Sequence, residues 1–431
     1  MNLRTISLIG AISITSFSAY SQQSIDLNKS YADLPVSKSG GQTLKLNLKK
    51  DGIFQFAAQE INVGIQMEIL DGAGTQLKQS NEPNDLNDVQ RMEFIPPNTG
   101  TYTLKINWFS HPENTPEGKV TLFVKSLSDK EIKERQKIRK ELEPENQKNV
   151  TTIDIDHFWF AYDNLKNCKT YADSVNCIQK NYLDRATNGL IDFMQVRNIN
   201  PENLIDAIRN NKARYEAVRN NTYLSRKAEP VINEVFENFK KIYPGFKPFK
   251  VCFAIGIKNT GGTVSNQFVL IGAEVTTDTT GMGNVSDEDI IAKIKGIVAH
   301  ECVHTQQKNI LDSTAIQCKL LSQCLLEGAA DFIADLVVGN PRAYDYGDKH
   351  EKELWNEFKK EMCSENYGNW LYNGYKKSDR PSDLGYYVGA RIARAYYENA
   401  PDKKQAVSDI IVITNPLKFL EASKYDLKWR N

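Results

Sequence analysis

The stretch Ile290-Ile-Ala-Lys-Ile-Lys-Gly-Ile-Val-Ala-His300-Glu301-Cys302-Val303-His304 governs the reading of the whole chain. Ile290, Ile294, Ile297 and Val298 recur at helical spacing. Ahead of them, Ser286-Asp-Glu-Asp289 supplies an N-cap with an acid three residues on. On a helix, His300 and His304 stand one turn apart on one face, so two imidazoles can converge on one metal ion. Glu301 lies about 100° round from His300, close enough to reach a water on that ion without taking a ligand position. His-Glu-x-x-His on a helix is the pattern of a zinc site. With five histidines in 431 residues, chance recurrence is on the order of a few in a thousand, so the motif carries weight. Cys302, about 200° round from either histidine, points away from the metal and reads as packed core.

A catalytic zinc takes three protein ligands and keeps one position for water. Downstream, Leu325-Leu-Glu327-Gly-Ala-Ala-Asp331-Phe-Ile-Ala-Asp335-Leu-Val-Val338 reads as a second helix, stopped by Gly339-Asn-Pro341. Glu327 falls near its start, beside small residues that let this helix approach the first, and is the candidate third ligand. Asp331, one turn on, is placed to accept the free ring N–H of a ligating histidine. Asp331, Asp335 and His350 are the alternative third ligands, and His350 sits in the solvated segment Asp348-Lys-His-Glu-Lys-Glu353. A tetrahedral oxygen needs a second electrophile. Leu384-Gly-Tyr386-Tyr387-Val-Gly389-Ala-Arg391 is its expected source, with Tyr386, Tyr387 and Arg391 as candidates.

Composition sets outer limits. Hydrophobic residues make up 40% and charged residues 25%, as in ordinary globular domains, and the length allows two or three of them. The 54 basic and 54 acidic residues cancel, which gives no electrostatic reason to expect nucleic acid or an anionic membrane as partner. Residues 1–21 read as a cleavable signal peptide: Arg4, a short apolar run from Ile6 to Phe17, then Ala19-Tyr20-Ser21. That run is too short to span a bilayer, and no cysteine follows the cleavage site to carry a lipid. A periplasmic or secreted protein is expected. In such a compartment disulfides are allowed, and Cys168–Cys177 and Cys318–Cys324 are plausible local pairs among seven cysteines.

Residues 22–128 alternate apolar and polar positions between turns. Leu44, Leu46 and Leu48 form one series, Val63, Ile65, Met67 and Ile69 another, and Tyr102, Leu104 and Ile106 a third. They predict an all-β sandwich. Asp71, with acidic residues near Asp85 and Asp88, could bind calcium, but turn roles explain them more simply. On Ile69-Leu-Asp-Gly-Ala-Gly74 and Pro97-Asn-Thr-Gly-Thr-Tyr102 the segment resembles the bacterial pre-peptidase C-terminal domain, which implies a jelly-roll-like sandwich. Residues 129–149 alternate in charge without aromatics and read as a partly helical linker. From 150 to 431 helices precede and follow a small sheet, an α+β and mostly helical order. Val251–Ile257 and Phe268–Glu274 are its strands, with a turn at Asn259–Thr263, and the strand ending at Glu274 could offer an edge to an extended peptide.

Residues 151–425 resemble a family of predicted zinc-dependent proteases of bacterial envelopes, gluzincin-like in motif. The matching pieces are Phe158-Trp-Phe-Ala-Tyr162, Tyr182-Leu-Asp-Arg185, Tyr243-Pro-Gly245, Gly261-Gly-Thr263, Ile271-Gly-Ala-Glu274, His300-Glu-Cys-Val-His304, Glu327-Gly-Ala-Ala-Asp331 and Gly385-Tyr-Tyr-Val-Gly389. The resemblance implies a zincin-like domain, Zn²⁺ held by His300, His304 and Glu327, and Glu301 as the catalytic base. A peptide or protein substrate is the expectation. The alternatives are an envelope binding protein with a vestigial metal site, and a zinc hydrolase of non-peptide amides.

Overall fold

The computed structural model describes residues 23–80, 89–109, 115–307, 317–339, 344–374 and 380–429. The expected signal peptide, Asp85 and Asp88 lie outside them. The chain divides into two compact units, residues 1–132 and 133–431.

The first unit is a sandwich of two sheets. One runs β1 (Gln23–Ser24), β3 (Gln42–Leu48), β8 (Gly100–Trp108), β5 (Ile65–Leu70), β6 (Gln76–Gln79). The other runs β2 (Ser30–Ser37), β9 (Glu117–Ser126), β4 (Phe54–Ile61), β7 (Val89–Phe94). Alternation decides which faces meet, since successive side chains on a strand point to opposite sides. Leu44, Leu46, Leu48, Ile65, Met67, Ile69, Leu104 and Ile106 from the first sheet share one buried core with Phe56, Val120, Leu122 and Val124 from the second. Asp71 closes the β5–β6 hairpin, its Oδ1 accepting from the backbone N–H of Ala73 and Thr75. Tyr102 donates its hydroxyl to the Asn98 carbonyl at 2.7 Å, tying the Pro97–Tyr102 loop to the start of β8.

Helix α1 (Asp129–Gln147) takes up most of the expected linker. It is no free tether: Ile138 and Leu142 are buried, and Arg135 pairs with Asp184 at 2.9 Å inside the second unit. Helices α2 (Ile153–Asn164), α3 (Tyr171–Asn181), α4 (Asn188–Val196), α5 (Pro201–Asn210), α6 (Lys212–Thr222) and α7 (Glu229–Ile242) then precede all but the first strand of a mixed sheet. Its order is β10 (Val150–Thr151), β11 (Lys250–Ala254), β13 (Phe268–Gly272), β12 (Gly262–Val264). Two expectations are corrected here. Gly262 and Thr263 of the expected turn are strand, and β13 is hydrogen-bonded on both flanks, to β11 and to β12, so the edge belongs to β12. Glu274 is not on a strand either, but in the short helix α8 (Ala273–Thr276).

The remaining helices are α9 (Asp287–His304), α10 (Lys319–Val338), α11 (Asp345–Lys349), α12 (Glu351–Glu361), α13 (Leu384–Asn399), α14 (Lys403–Ile411) and α15 (Pro416–Ser423). Helix α10 begins six residues before the run read from sequence, which puts Glu327 in its third turn. Cys318, just ahead of α10, is bonded to Cys363 and not to Cys324. Cys324 is buried on α10, with its sulfur against Gly385 of α13, and cannot turn back to Cys318. Cys168 and Cys177 are free thiols. No described helix is long and apolar enough to cross a membrane.

Candidate metal centre

Helix α9 starts as its sequence predicts. Ser286 Oγ accepts from the Asp289 N–H at 3.1 Å, and the Asp289 carboxylate accepts from the Ser286 N–H at 3.0 Å. Such caps contribute about 1 kcal/mol, and the acids at 287–289 suit the helix dipole. Its apolar face holds Ile290, Ile294, Val298 and Val303 in the core, which fixes the rotation of the helix. Cys302 is fully buried there, and desolvation pushes its thiol well up. At the other end His300 and His304 bring their Nε2 atoms to 3.0 Å from each other.

Helix α10 packs against α9 and α13. Gly328 meets α13: a Cβ there would lie 2.2 Å from the backbone nitrogen of Ala390, and a Cβ on Gly389 would lie 1.7 Å from the Cys324 carbonyl oxygen. The small residue beside Glu327 therefore admits α13, not α9 as its sequence position suggested. That crossing sets Glu327 opposite the histidines, with Oε2 at 3.5 Å from His300 Nε2 and 3.4 Å from His304 Nε2.

Three donor atoms thus stand 3.0–3.5 Å apart. Ligands about 2.0–2.1 Å from a tetrahedral zinc lie roughly 3.3 Å from one another, so the spacing fits the ion. The tautomers fit as well. His300 Nδ1 meets Asp331 Oδ1 at 2.7 Å, and a carboxylate only accepts. His304 Nδ1 meets Gln307 Oε1 at 2.7 Å, while Gln307 Nε2 donates to the Leu326 carbonyl at 2.9 Å, which leaves Oε1 as the acceptor. With each Nδ1 held by an acceptor, each imidazole in its neutral form presents the Nε2 lone pair to the gap. The pocket recruits positive charge. Burial works against protonation of His300, but Asp331 and Glu327 outweigh it and push His300 up to about 10. His304 is raised by Glu327 against the same burial, and Glu327 is held low by both histidines although desolvation opposes it. Among the described residues, His300, His304 and Glu327 form the group able to hold a metal.

Glu301 is buried beside them, and desolvation raises its carboxyl. Its Oε1 lies against β12, where a Cβ on Gly262 would come within 2.5 Å of it. Only glycine leaves that space open. Asp331 receives the Tyr344 hydroxyl on its other oxygen, which braces the His300 ring.

The tyrosines of α13 part company. The Tyr386 ring lies 6.2 Å from that of His300 at 24°, and burial, with the nearby charge of Glu327, pushes its hydroxyl up. Tyr387, on the next position round the helix, packs against Tyr344 and Gly347, and its hydroxyl accepts from Arg391 Nε at 3.2 Å. Arg391 itself pairs with Asp348 at 2.7 Å, so neither Tyr387 nor Arg391 joins the group at Glu327. Asp335 faces Arg394, and the His350 ring stacks on Tyr346 with Nδ1 on Glu353, so these alternative ligands stand elsewhere. Three residues with no signal in the sequence do join it. They are Gln307 and Tyr344, already placed, with Tyr372. Tyr372 donates to Glu327 Oε1 at 3.2 Å. Arg197, the C-cap of α4, is lowered by burial and supported by the charges of Glu301 and Glu327.

No curated protein matches the chain. Among solved structures, the pre-peptidase C-terminal domain of a collagenase from Bacillus anthracis is similar at 14% identity and a TM-score of 0.20, over 24% of this chain and 94% of that one. Residues 232–412, which carry His300, Glu301, His304, Glu327 and Asp331, match the protein family described as "Predicted Zn-dependent protease (DUF2268)".

Proposed function

We propose that the chain is an exported zinc-dependent peptidase that hydrolyses peptide bonds with Glu301 as general base. The observation that carries this reading is the convergence of His300 Nε2, His304 Nε2 and Glu327 Oε2 beside a buried carboxylate that ligates nothing. A structural zinc site has no use for that carboxylate. When bound, Zn²⁺ acidifies a water to a pKa near 7 and polarises the carbonyl. Glu301 takes the water's proton and returns it to the departing amine nitrogen. Asp331 and Gln307 hold the two imidazoles in the ligating tautomer. Among the described residues β12 is the edge of its sheet and Gly262 lies against Glu301, so an extended peptide added along β12 would bring its backbone near the base. Residues 1–21 and the Cys318–Cys363 disulfide favour an oxidising compartment, the periplasm or the exterior.

Digestion of a peptide library by the zinc-loaded protein tests the reading. Wild type should cut, while Glu301→Gln should keep one zinc per chain and lose on the order of 10²–10⁴ in rate. A zinc-loaded wild type that cuts no peptide would move the reading to non-peptide amides or to a binding protein.

A further inference from the structure

Two tyrosines stand beside the metal-binding group, and they are built differently. Tyr386 stands on α13 with its ring 6.2 Å from that of His300, three residues from the tight crossing at Gly389. Tyr372 lies between α12 and α13, in a segment pinned on both sides. Trp370 and Leu371 are buried, and the Trp370 carbonyl accepts from the Gly385 N–H at 2.8 Å. On the other side the Asp383 N–H donates to Asn373 Oδ1 at 2.8 Å, and the Asn373 N–H donates back to Asp383 Oδ1 at 3.4 Å.

Tyr372 itself is 54% exposed and has φ of +54°, a left-handed conformation that is costly for a bulky L residue. That backbone turns one side chain outward from a run of buried neighbours and lays its hydroxyl on Glu327 Oε1. A residue serving only to pack would need neither the exposure nor the strain. Oε1 is also the oxygen that Glu327 does not direct at the histidines, which face Oε2. Tyr372 can therefore let go without moving the ligand atom.

Resting on the peptidase reading above, we propose that Tyr372 is a catalytic residue, the hydrogen-bond donor to the substrate's carbonyl oxygen as it becomes tetrahedral. As a peptide enters, the hydroxyl leaves Glu327 Oε1 and donates to the scissile carbonyl oxygen. The water oxygen bonds to the carbonyl carbon as the C=O π pair moves onto the carbonyl oxygen, and the water's proton passes to Glu301. That pair then re-forms C=O as the C–N bond breaks, the C–N pair leaves on nitrogen, and Glu301 delivers the proton there. Tyr372 keeps its own proton throughout and contributes only where charge develops.

Tyr372→Phe and Tyr386→Phe separate donation from positioning. Each is assayed for kcat and KM, for zinc affinity by chelator competition, and for calorimetric binding of a phosphinic peptide that mimics the tetrahedral carbon. Tyr372→Phe should lower kcat on the order of 10²–10³-fold with KM nearly unchanged. It should weaken phosphinic-peptide binding and leave zinc affinity at the wild-type value. Tyr386→Phe should lower zinc affinity. A Tyr372→Phe protein that loses zinc affinity in step with kcat would make Tyr372 a support for Glu327 and overturn the proposal. So would one that keeps wild-type kcat and phosphinic-peptide affinity. Wild-type protein that holds zinc yet cuts no peptide would instead remove the peptidase reading, and this inference with it.

Discussion

At the scale of single residues, the site depends on groups whose alternatives are sterically closed. Gly262 is the sharpest case. A methyl group there would meet Glu301 Oε1 at 2.5 Å and its Cδ at 2.9 Å, so the carboxylate must move. Gly262→Ala should retain zinc and the fold but lose on the order of 10²-fold in peptide cleavage, since a displacement of about 1 Å at a reacting group is enough for that. An unchanged rate would show that Glu301 is not held where β12 places it. The histidines, Glu301 and Glu327 are legible in the sequence because helical spacing puts residues on a common face. Tyr372 is not, because a left-handed residue in a loop has no period to read. Gln307 lies three residues beyond His304 but past the end of α9, where spacing no longer tells direction.

At the scale of elements, the decisive contact is the crossing of α10 and α13. The pieces Glu327-Gly-Ala-Ala-Asp331 and Gly385-Tyr-Tyr-Val-Gly389 are halves of one joint, with Gly328 against Gly389. Each piece alone suggests a helix with small residues, and neither names its partner. Gly389→Ala would press a Cβ to 1.7 Å from a backbone oxygen that cannot turn aside. The helices must separate, at a cost of about 3 kcal/mol or more. The melting temperature should fall on the order of 5–10 °C, and zinc affinity should fall with it as Glu327 moves. Gly296, within α9, is the contrast. Nothing lies within 4 Å of its added Cβ, so Gly296→Ala should stabilise by about 0.5–1 kcal/mol. Thermal melts of the two variants check the sign. Equal effects would mean that the crossing is not tight. The same element scale explains the misplaced edge: the short strand β12 reads as a turn because Gly261 and Gly262 stand at its start, yet its backbone pairs with β13.

For the whole molecule, composition and alternation were enough to expect a β-sandwich followed by an α+β domain. The boundary was harder, because α1 is charged along most of its length and Ile138 and Leu142 are its buried residues. Disulfide pairing was out of reach for the same kind of reason: Cys318 meets Cys363 across 45 residues of intervening chain. The donor inventory is also a property of the whole chain. Five free cysteines and the remaining histidines could in principle compete for zinc with the group at His300. X-ray absorption at the zinc edge on the full-length protein, loaded with one equivalent, weighs all of them at once. The structure predicts two imidazole nitrogens and oxygen donors at about 2.0–2.1 Å with no sulfur, and loss of the bound ion in Glu327→Ala. A zinc–sulfur distance near 2.3 Å, or full zinc occupancy in Glu327→Ala, would contradict it.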